Sequence, residues 1–181
     1  MICIQGEDRY RFKDTVVTIG KFDALHIGHR ALIARMEPLK AKGMTTLVFR
    51  LDIRNGAESL RTEAERIGIL EEAGVDIYIC REFTEKEAAV SAEEFVRETL
   101  AGQLGVRAVV VGEDFRFGHD RQGDTAFLRS AGIKYGFETI VVPRVFYGGE
   151  EVSSSRIRRA LREGKTAEAR AMLGIVKETL I

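Results

Sequence analysis

Residues 20–30 read GKFDALHIGHR, and the fold is decided here. The stretch follows an apolar run, Val16-Val17-Thr18-Ile19, and precedes a segment in which Leu32, Met36 and Leu39 recur at i, i+4 and i+7. A β-branched run followed by a one-faced helical pattern predicts a strand, a tight turn and a helix. Two of the chain's 3 histidines, His26 and His29, fall in that turn with Gly28 between them. A glycine there lets backbone approach a ligand, and the free N–H groups of a helix start favour an anion. Residues three apart share a helix face, so both imidazoles can address one phosphate. A zinc site is the weaker alternative, because it needs a third protein ligand and the H-E-x-x-H spacing is absent.

The pattern repeats outward from this point. Strand-like runs at 15–19, 45–50, 76–80, 107–111 and 138–142 alternate with helical stretches near 28–42, 63–73, 92–104 and 124–134. Two shorter helical stretches follow, at 154–163 and 166–173. Thr62-x-x-Glu65 and Ser91-x-x-Glu94 open the second and third helices as capping boxes, and Gly74 and Gly105 stand at expected helix ends. The alternation predicts an α/β domain, a Rossmann-like parallel sheet of about five strands with helices on both faces and short C-terminal helices. No repeat, low-complexity tract or linker divides the chain, so a single domain over 1–181 is expected. In such sheets ligands bind beyond the carboxyl ends of strands, where the winding reverses.

Composition narrows the function classes. Lys+Arg and Asp+Glu are equal at 28 each, so no global field draws nucleic acid or an anionic membrane, and any anion site must be local. Arginine outnumbers lysine 20 to 8, which suits bidentate phosphate recognition but is also a common compositional bias. Cys3 and Cys80 form no metal or redox spacing and read as small buried hydrophobes in strand-like runs. No apolar run is long enough for a signal-peptide core or a membrane span, so a cytoplasmic protein is expected.

Neither G-x-G-x-x-G nor G-x-x-x-x-G-K-[ST] occurs, so the usual phosphate loops are missing. Ser153, Ser154 and Ser155 open a short helix, gathering hydroxyls and N–H groups at its start. Arg156, Arg158 and Arg159 then set cations in the first turns, against the helix dipole, a conflict that a nearby polyphosphate would relieve. GKFDALHIGHR resembles the GxFDGxHxGH motif of the nucleotidylyltransferase superfamily. GEDFRFG at 112–118 followed by Gly123-Asp124 resembles a GxDFRFG…GD loop. SAEEFV at 91–96 after Phe83-Thr84 resembles an SxEEFV helix, and VSSSRIR at 152–158 an ISSTxIR motif. Four motifs in this order resemble the FAD synthetase (FMN adenylyltransferase) module of bacterial bifunctional riboflavin kinase/FAD synthetases, here without the kinase domain.

The resemblance implies the HIGH-type nucleotidylyltransferase fold and transfer of AMP from ATP to FMN, giving FAD and pyrophosphate by direct in-line attack. It implies that His26, His29, Ser154 and Arg158 are catalytic. Gly20, Lys21, Phe22, Asp23, Gly28, Gly112, Asp114, Ser153 and Ser155 would bind the nucleotide. Phe49, Arg50, Phe115, Arg116, Phe117 and Asp120 would face the flavin acceptor. Mg²⁺ would be held through the ATP phosphates, and the partners would be small molecules only. His119 is open between site and scaffold, and core packing competes with a ligand role at Phe115 and Phe117. Ala24 replaces the glycine of FDG, and the F(D/E)xxP element of relatives reads Phe49-Arg50-Leu51-Asp52-Ile53 without proline. These departures leave open a different phosphate-bearing acceptor, or a non-catalytic nucleotide or flavin sensor.

Overall fold

A computed structural model describes residues 1–6, 10–53 and 59–175. Six strands form one parallel sheet: β1 (Ile2–Gln5), β2 (Thr15–Gly20), β3 (Thr45–Asp52), β4 (Ile77–Glu82), β5 (Val106–Gly112) and β6 (Glu138–Val142), in the order β1-β4-β3-β2-β5-β6. From β2 the chain winds through β3 to β4 on one side, then crosses to β5 and β6 on the other. The winding therefore reverses between β2 and β5, and the crevice outside their carboxyl ends is where a ligand is expected.

Side chains on successive strand residues point to opposite faces, which divides the core in two. Val17, Ile19, Leu47, Phe49, Val109 and Val111 meet Phe95, Val96, Leu100 and Leu128 on one face. Val16, Val48, Tyr78 and Val110 face α1 (Ile27–Lys40) and α2 (Glu63–Glu72) on the other, through Ile33, Met36 and Leu70. The Thr62–Glu65 capping box forms in both directions, and Ser91 accepts the Glu94 N–H at 3.2 Å. Gly74 and Gly105 both end their helices at positive φ.

Three features differ from the sequence expectation. The sheet has six strands, not five: the apolar start forms edge strand β1, which pairs with β4 from Ile2↔Ile77 to Gln5↔Cys80. An edge strand of four residues shields little, so Cys3 is exposed and Cys80 half-buried, not the buried pair expected. The expected helix at 92–104 begins after the short α3 (Glu85–Ala88) as α4 (Ala92–Glu94) and continues as a π-helix, Phe95–Gln103. After α5 (Thr125–Tyr135) and β6, a hairpin of β7 (Phe146–Tyr147) and β8 (Glu150–Glu151) precedes α6 (Ser154–Arg162) and α7 (Thr166–Met172). Among the described residues, no helix is long and apolar enough to cross a membrane.

Candidate active site

Two cavities open at the β2/β5 reversal. The first, about 240 Å³, is bounded by the end of β2, the start of α1, the end of β5, the 142–145 segment and the start of α6. The second, about 480 Å³, lies between the ends of β2 and β3, the 83–95 segment and the 114–121 loop. Ile19, Gly20, Asp114 and Phe115 line both, so the two share a wall.

His26 caps α1 by accepting the His29 backbone N–H on Nδ1 at 3.3 Å, a donor the helix start would otherwise leave unpaired. That bond fixes the tautomer and leaves Nε2 to carry the proton. The two imidazoles stack with centroids 3.8 Å apart and planes 13° apart, and the Phe22 ring lies 4.9 Å from that of His29. Gly28 eases this stack: a Cβ there would crowd the His26 ring, standing 3.1 Å from its Cε1 and Nδ1. Burial pushes the His26 pKa down to about 4. Burial and then the neighbouring His26 push His29 well below its usual value. Both rings are neutral near pH 7 and meet a ligand as hydrogen-bond donors, not as standing cations.

The first cavity gathers Gly20, Phe22, His26, Gly28, His29, Gly112, Asp114 and Ser153 of the residues expected from sequence. It adds Arg144 and Glu151, which pair at 2.8 Å and carry no motif that would have marked them. Phe22 contributes only an edge, being almost wholly buried among Leu25, Ile33 and Tyr78. Ser153 caps α6 by accepting the Arg156 N–H at 3.2 Å. Ser154 and Ser155 start α6 but do not line this cavity, and Ser155 is exposed.

Arg158 does not line this cavity either: its guanidinium donates to the Asp23 carboxylate. Asp23 is correspondingly a brace, accepting also from Ser59 Oγ at 2.6 Å and from the Leu60 N–H at 3.3 Å. The arginines of α6 escape their clash with the helix dipole without a phosphate. Arg156 donates to the carbonyls of Tyr147 and Glu150 and to Glu168, and Arg159 pairs with Glu150. Ala24, where the family pattern has glycine, buries its methyl group against Val152, Ile157 and Met172, so the loop accommodates the Cβ.

The second cavity gathers some of the residues expected at the acceptor and not others. Phe115, Arg116 and Phe117 line it, Phe115 stacked on Phe117 at 5.5 Å, while Phe117 is also packed into the core. Lys21, expected at the nucleotide, stands on this wall instead. Phe49 and Arg50 do not line it. β3 runs on to Asp52, so both lie inside the strand: Phe49 is sealed in the core, and Arg50 points to the opposite face, 2.8 Å from Cys80 Sγ and 2.7 Å from Asp52. Leu51 and Ile53 take their place on the wall, with Phe83, Glu87 and Val90 beyond. The rest of the 50–56 loop, from 54 on, lies outside the described residues.

Asp120 and His119 lie on neither wall. Gly118, at φ +74, allows the loop to dock, since a Cβ there would meet the Ala92 nitrogen at 2.6 Å. His119 Nδ1 then lies 3.1 Å from the Ala88 carbonyl, and Asp120 adopts φ 50 with its side chain in solvent. His119 thus fastens the loop through its ring and through its backbone N–H, which donates to the Val90 carbonyl at 2.8 Å. No three His, Cys, Asp or Glu side chains converge on a metal position among the described residues.

The sequence pattern of the FAD synthetase family matches residues 8–156. The chain is 34% identical over 168 residues to the bifunctional riboflavin kinase/FMN adenylyltransferase of Escherichia coli (strain K12), an alignment covering 88% of this chain and 54% of that protein. It is 31% identical over 171 residues to the protein of the same name from Buchnera aphidicola subsp. Schizaphis graminum (strain Sg), covering 89% and 55%. The chain thus spans about half the length of these curated relatives. Among solved structures, a protein named as a macrolide-efflux protein from Streptococcus pneumoniae superposes with a TM-score of 0.80 at 25% identity, over 96% of this chain and 60% of that one. A pantoate-beta-alanine ligase from Francisella tularensis, at TM-score 0.52 and 15% identity over 88% and 78%, shares the fold. The strands and loops that build both cavities fall within the matched residues, and the chain belongs to the FAD synthetase family.

Proposed function

We propose that this site transfers AMP from ATP to FMN, giving FAD and pyrophosphate. One observation carries the reading: a cleft suited to polyphosphate and a larger cavity with apolar walls meet at the β2/β5 reversal and share Asp114 and Phe115. The first has a helix start, two neutral imidazoles and Arg144; the second has Leu51, Ile53, Phe83, Val90 and Phe115 against which a flat ring system can lie. Apolar and aromatic walls favour a flavin over a flexible acceptor. Family membership supports the same reaction.

An oxygen of the FMN phosphate attacks the α-phosphorus of ATP as the bond to the bridging oxygen breaks, and pyrophosphate leaves with the electron pair. The attacking phosphate is already ionised near neutral pH, so no side-chain base is needed, and the protein works by positioning and by stabilising charge. His26 and His29 donate N–H groups to the phosphates and gain strength as charge moves to the leaving group. Arg158, held by Asp23 in the free protein, reaches the phosphates by exchanging that carboxylate for them. Mg²⁺ commonly takes one or two carboxylates plus phosphate and water, so the exposed Asp114 at the shared wall fits it, and its charge would offset that of the phosphates.

The test is to incubate the protein with Mg²⁺, ATP and FMN and separate the products by chromatography. FAD and pyrophosphate in equal amounts are expected. Tight ATP or FMN binding without FAD would favour a sensor, and ATP turnover only with another phosphorylated acceptor would replace FMN.

A further inference from the structure

The loop at 21–25 is held from behind by arginines that come from separate parts of the chain. Arg50 Nε, on β3, donates to the Lys21 carbonyl at 3.1 Å, and Arg66 Nη1, on α2, to the Asp23 carbonyl at 3.1 Å. Arg61 Nε, just before α2, donates to the Ala24 carbonyl at 2.7 Å, and Arg30 Nε, on α1, to the Leu25 carbonyl at 3.3 Å. None of these four residues lines either cavity.

The loop needs such support. Phe22 and Leu25 sit at φ 44 and 45, a left-handed conformation that residues with a Cβ avoid. Backbone in that region persists only where its surroundings over-determine it. Buried side chains anchor the loop, since Phe22, Ala24 and Leu25 are all essentially inaccessible. The guanidiniums fix its peptide planes through the four carbonyl bonds. Across a trans peptide the carbonyl and the following N–H point in opposite directions. Drawing these carbonyls toward the arginines therefore turns the N–H groups of Phe22, Ala24, Leu25 and His26 away from them. A guanidinium suits this task, being always charged, planar and weakly hydrated, so it donates strongly to a carbonyl where an ammonium would stay solvated.

We infer that Arg30, Arg50, Arg61 and Arg66 are positioning residues that hold the 21–25 loop, and with it the His26–His29 stack, in the conformation that receives a nucleoside triphosphate. The inference rests on the adenylyl-transfer reading of the first cavity. Part of the arginine excess over lysine then has a specific structural use.

Arg50 and Arg66 are also tied to Glu63, so their loss endangers the fold. Arg61 and Arg30 are partly exposed, and Arg61→Ala, Arg30→Ala and the double variant form the test. Arg61→Ala is expected to raise the Kd and KM for ATP about tenfold, the effect of losing one charge-assisted hydrogen bond. The KM for FMN should stay unchanged, the double variant should be weaker still, and added guanidinium ion should restore part of the ATP affinity of Arg61→Ala. Without any ligand, amide hydrogen exchange at 22–26 should quicken in both single variants while the sheet stays protected. Unchanged exchange in the loop, unchanged ATP affinity in the double variant, or a fall in kcat with neither KM altered would overturn the inference. Wild-type protein that does not bind ATP would instead overturn the proposed function, and the exchange rates would still decide whether the arginines hold the loop.

Discussion

Lowering the pH from 7 to 5 places a proton on His26 in the unfolded chain but not in the folded one. Burial holds its folded pKa at about 4, against 6.5 for an unperturbed histidine. Between those values the unfolded state binds more protons, so stability rises with pH through the window. The contribution is fully present above pH 6.5, falls progressively below it, and is lost once pH has dropped through 4. At about 1.4 kcal/mol per pH unit, the loss is about 3 kcal/mol from this one side chain. For a chain of this size that is roughly 10 °C in Tm. Carboxylates titrate in the lower part of the same window, so the measurement is a comparison of wild type with His26→Gln, which keeps a polar group and cannot take the proton. Denaturant melts from pH 7.5 to 4 should give a stability difference that is flat above pH 7 and then shrinks by about 3 kcal/mol. NMR titration of the imidazole should find no protonation of His26 at pH 5.5. A difference independent of pH, or a His26 titrating near 6.5, would refute the claim that a neutral, buried imidazole caps α1.

Further predictions concern the two cavities. His29→Ala should lower the Tm, because it removes a ring packed between His26 and Phe22, and should cut turnover of the folded protein at least about tenfold, or 1.4 kcal/mol of transition-state stabilisation; steady-state kinetics below the Tm decides it, and unchanged turnover removes His29 from the mechanism. Gly28→Ala should push the His26 ring out of its stack, since the new methyl group would lie 3.1 Å from it, and lower kcat about tenfold through misplacement alone. Leu51→Asp, on the wall of the second cavity, should raise the KM for FMN at least about tenfold by setting a charge against the flavin, with the KM for ATP unchanged. The reverse pattern would mean that the cavities have been assigned the wrong way round.

What the sequence showed and what it hid follow from the range of the interactions concerned. The central strands and the helix after β2 were legible because β-branched runs and one-faced helical spacing are local signals. The nearness of His26 and His29 was legible because residues three apart share a helix face, whereas the cap that His26 forms on the His29 N–H was not foreseen. β1 was hidden because Met1 to Gln5 is short and half-exposed, and its strand character comes from pairing with β4, some 75 residues on. Phe49 and Arg50, expected beside the acceptor, stand off the second cavity because β3 runs on to Asp52, and strand alternation sets Leu51 on its wall instead. The arginines behind the loop reach it across separations of 29, 37 and 43 residues for Arg50, Arg61 and Arg66. No spacing rule signals a guanidinium that bonds a distant carbonyl. The same holds for Arg158, whose motif drew attention to it but did not signal its pairing with Asp23.

The central claim is that the two cavities hold the donor and acceptor of one adenylyl transfer. The direct measurement is to follow label from ATP carrying radioactive phosphorus at either the α or the γ position, with FMN and Mg²⁺. Label from the α position should appear in FAD, and label from the γ position in pyrophosphate alone. Flavin that stays unlabelled from the α position, or that takes up label from the γ position, would contradict the account.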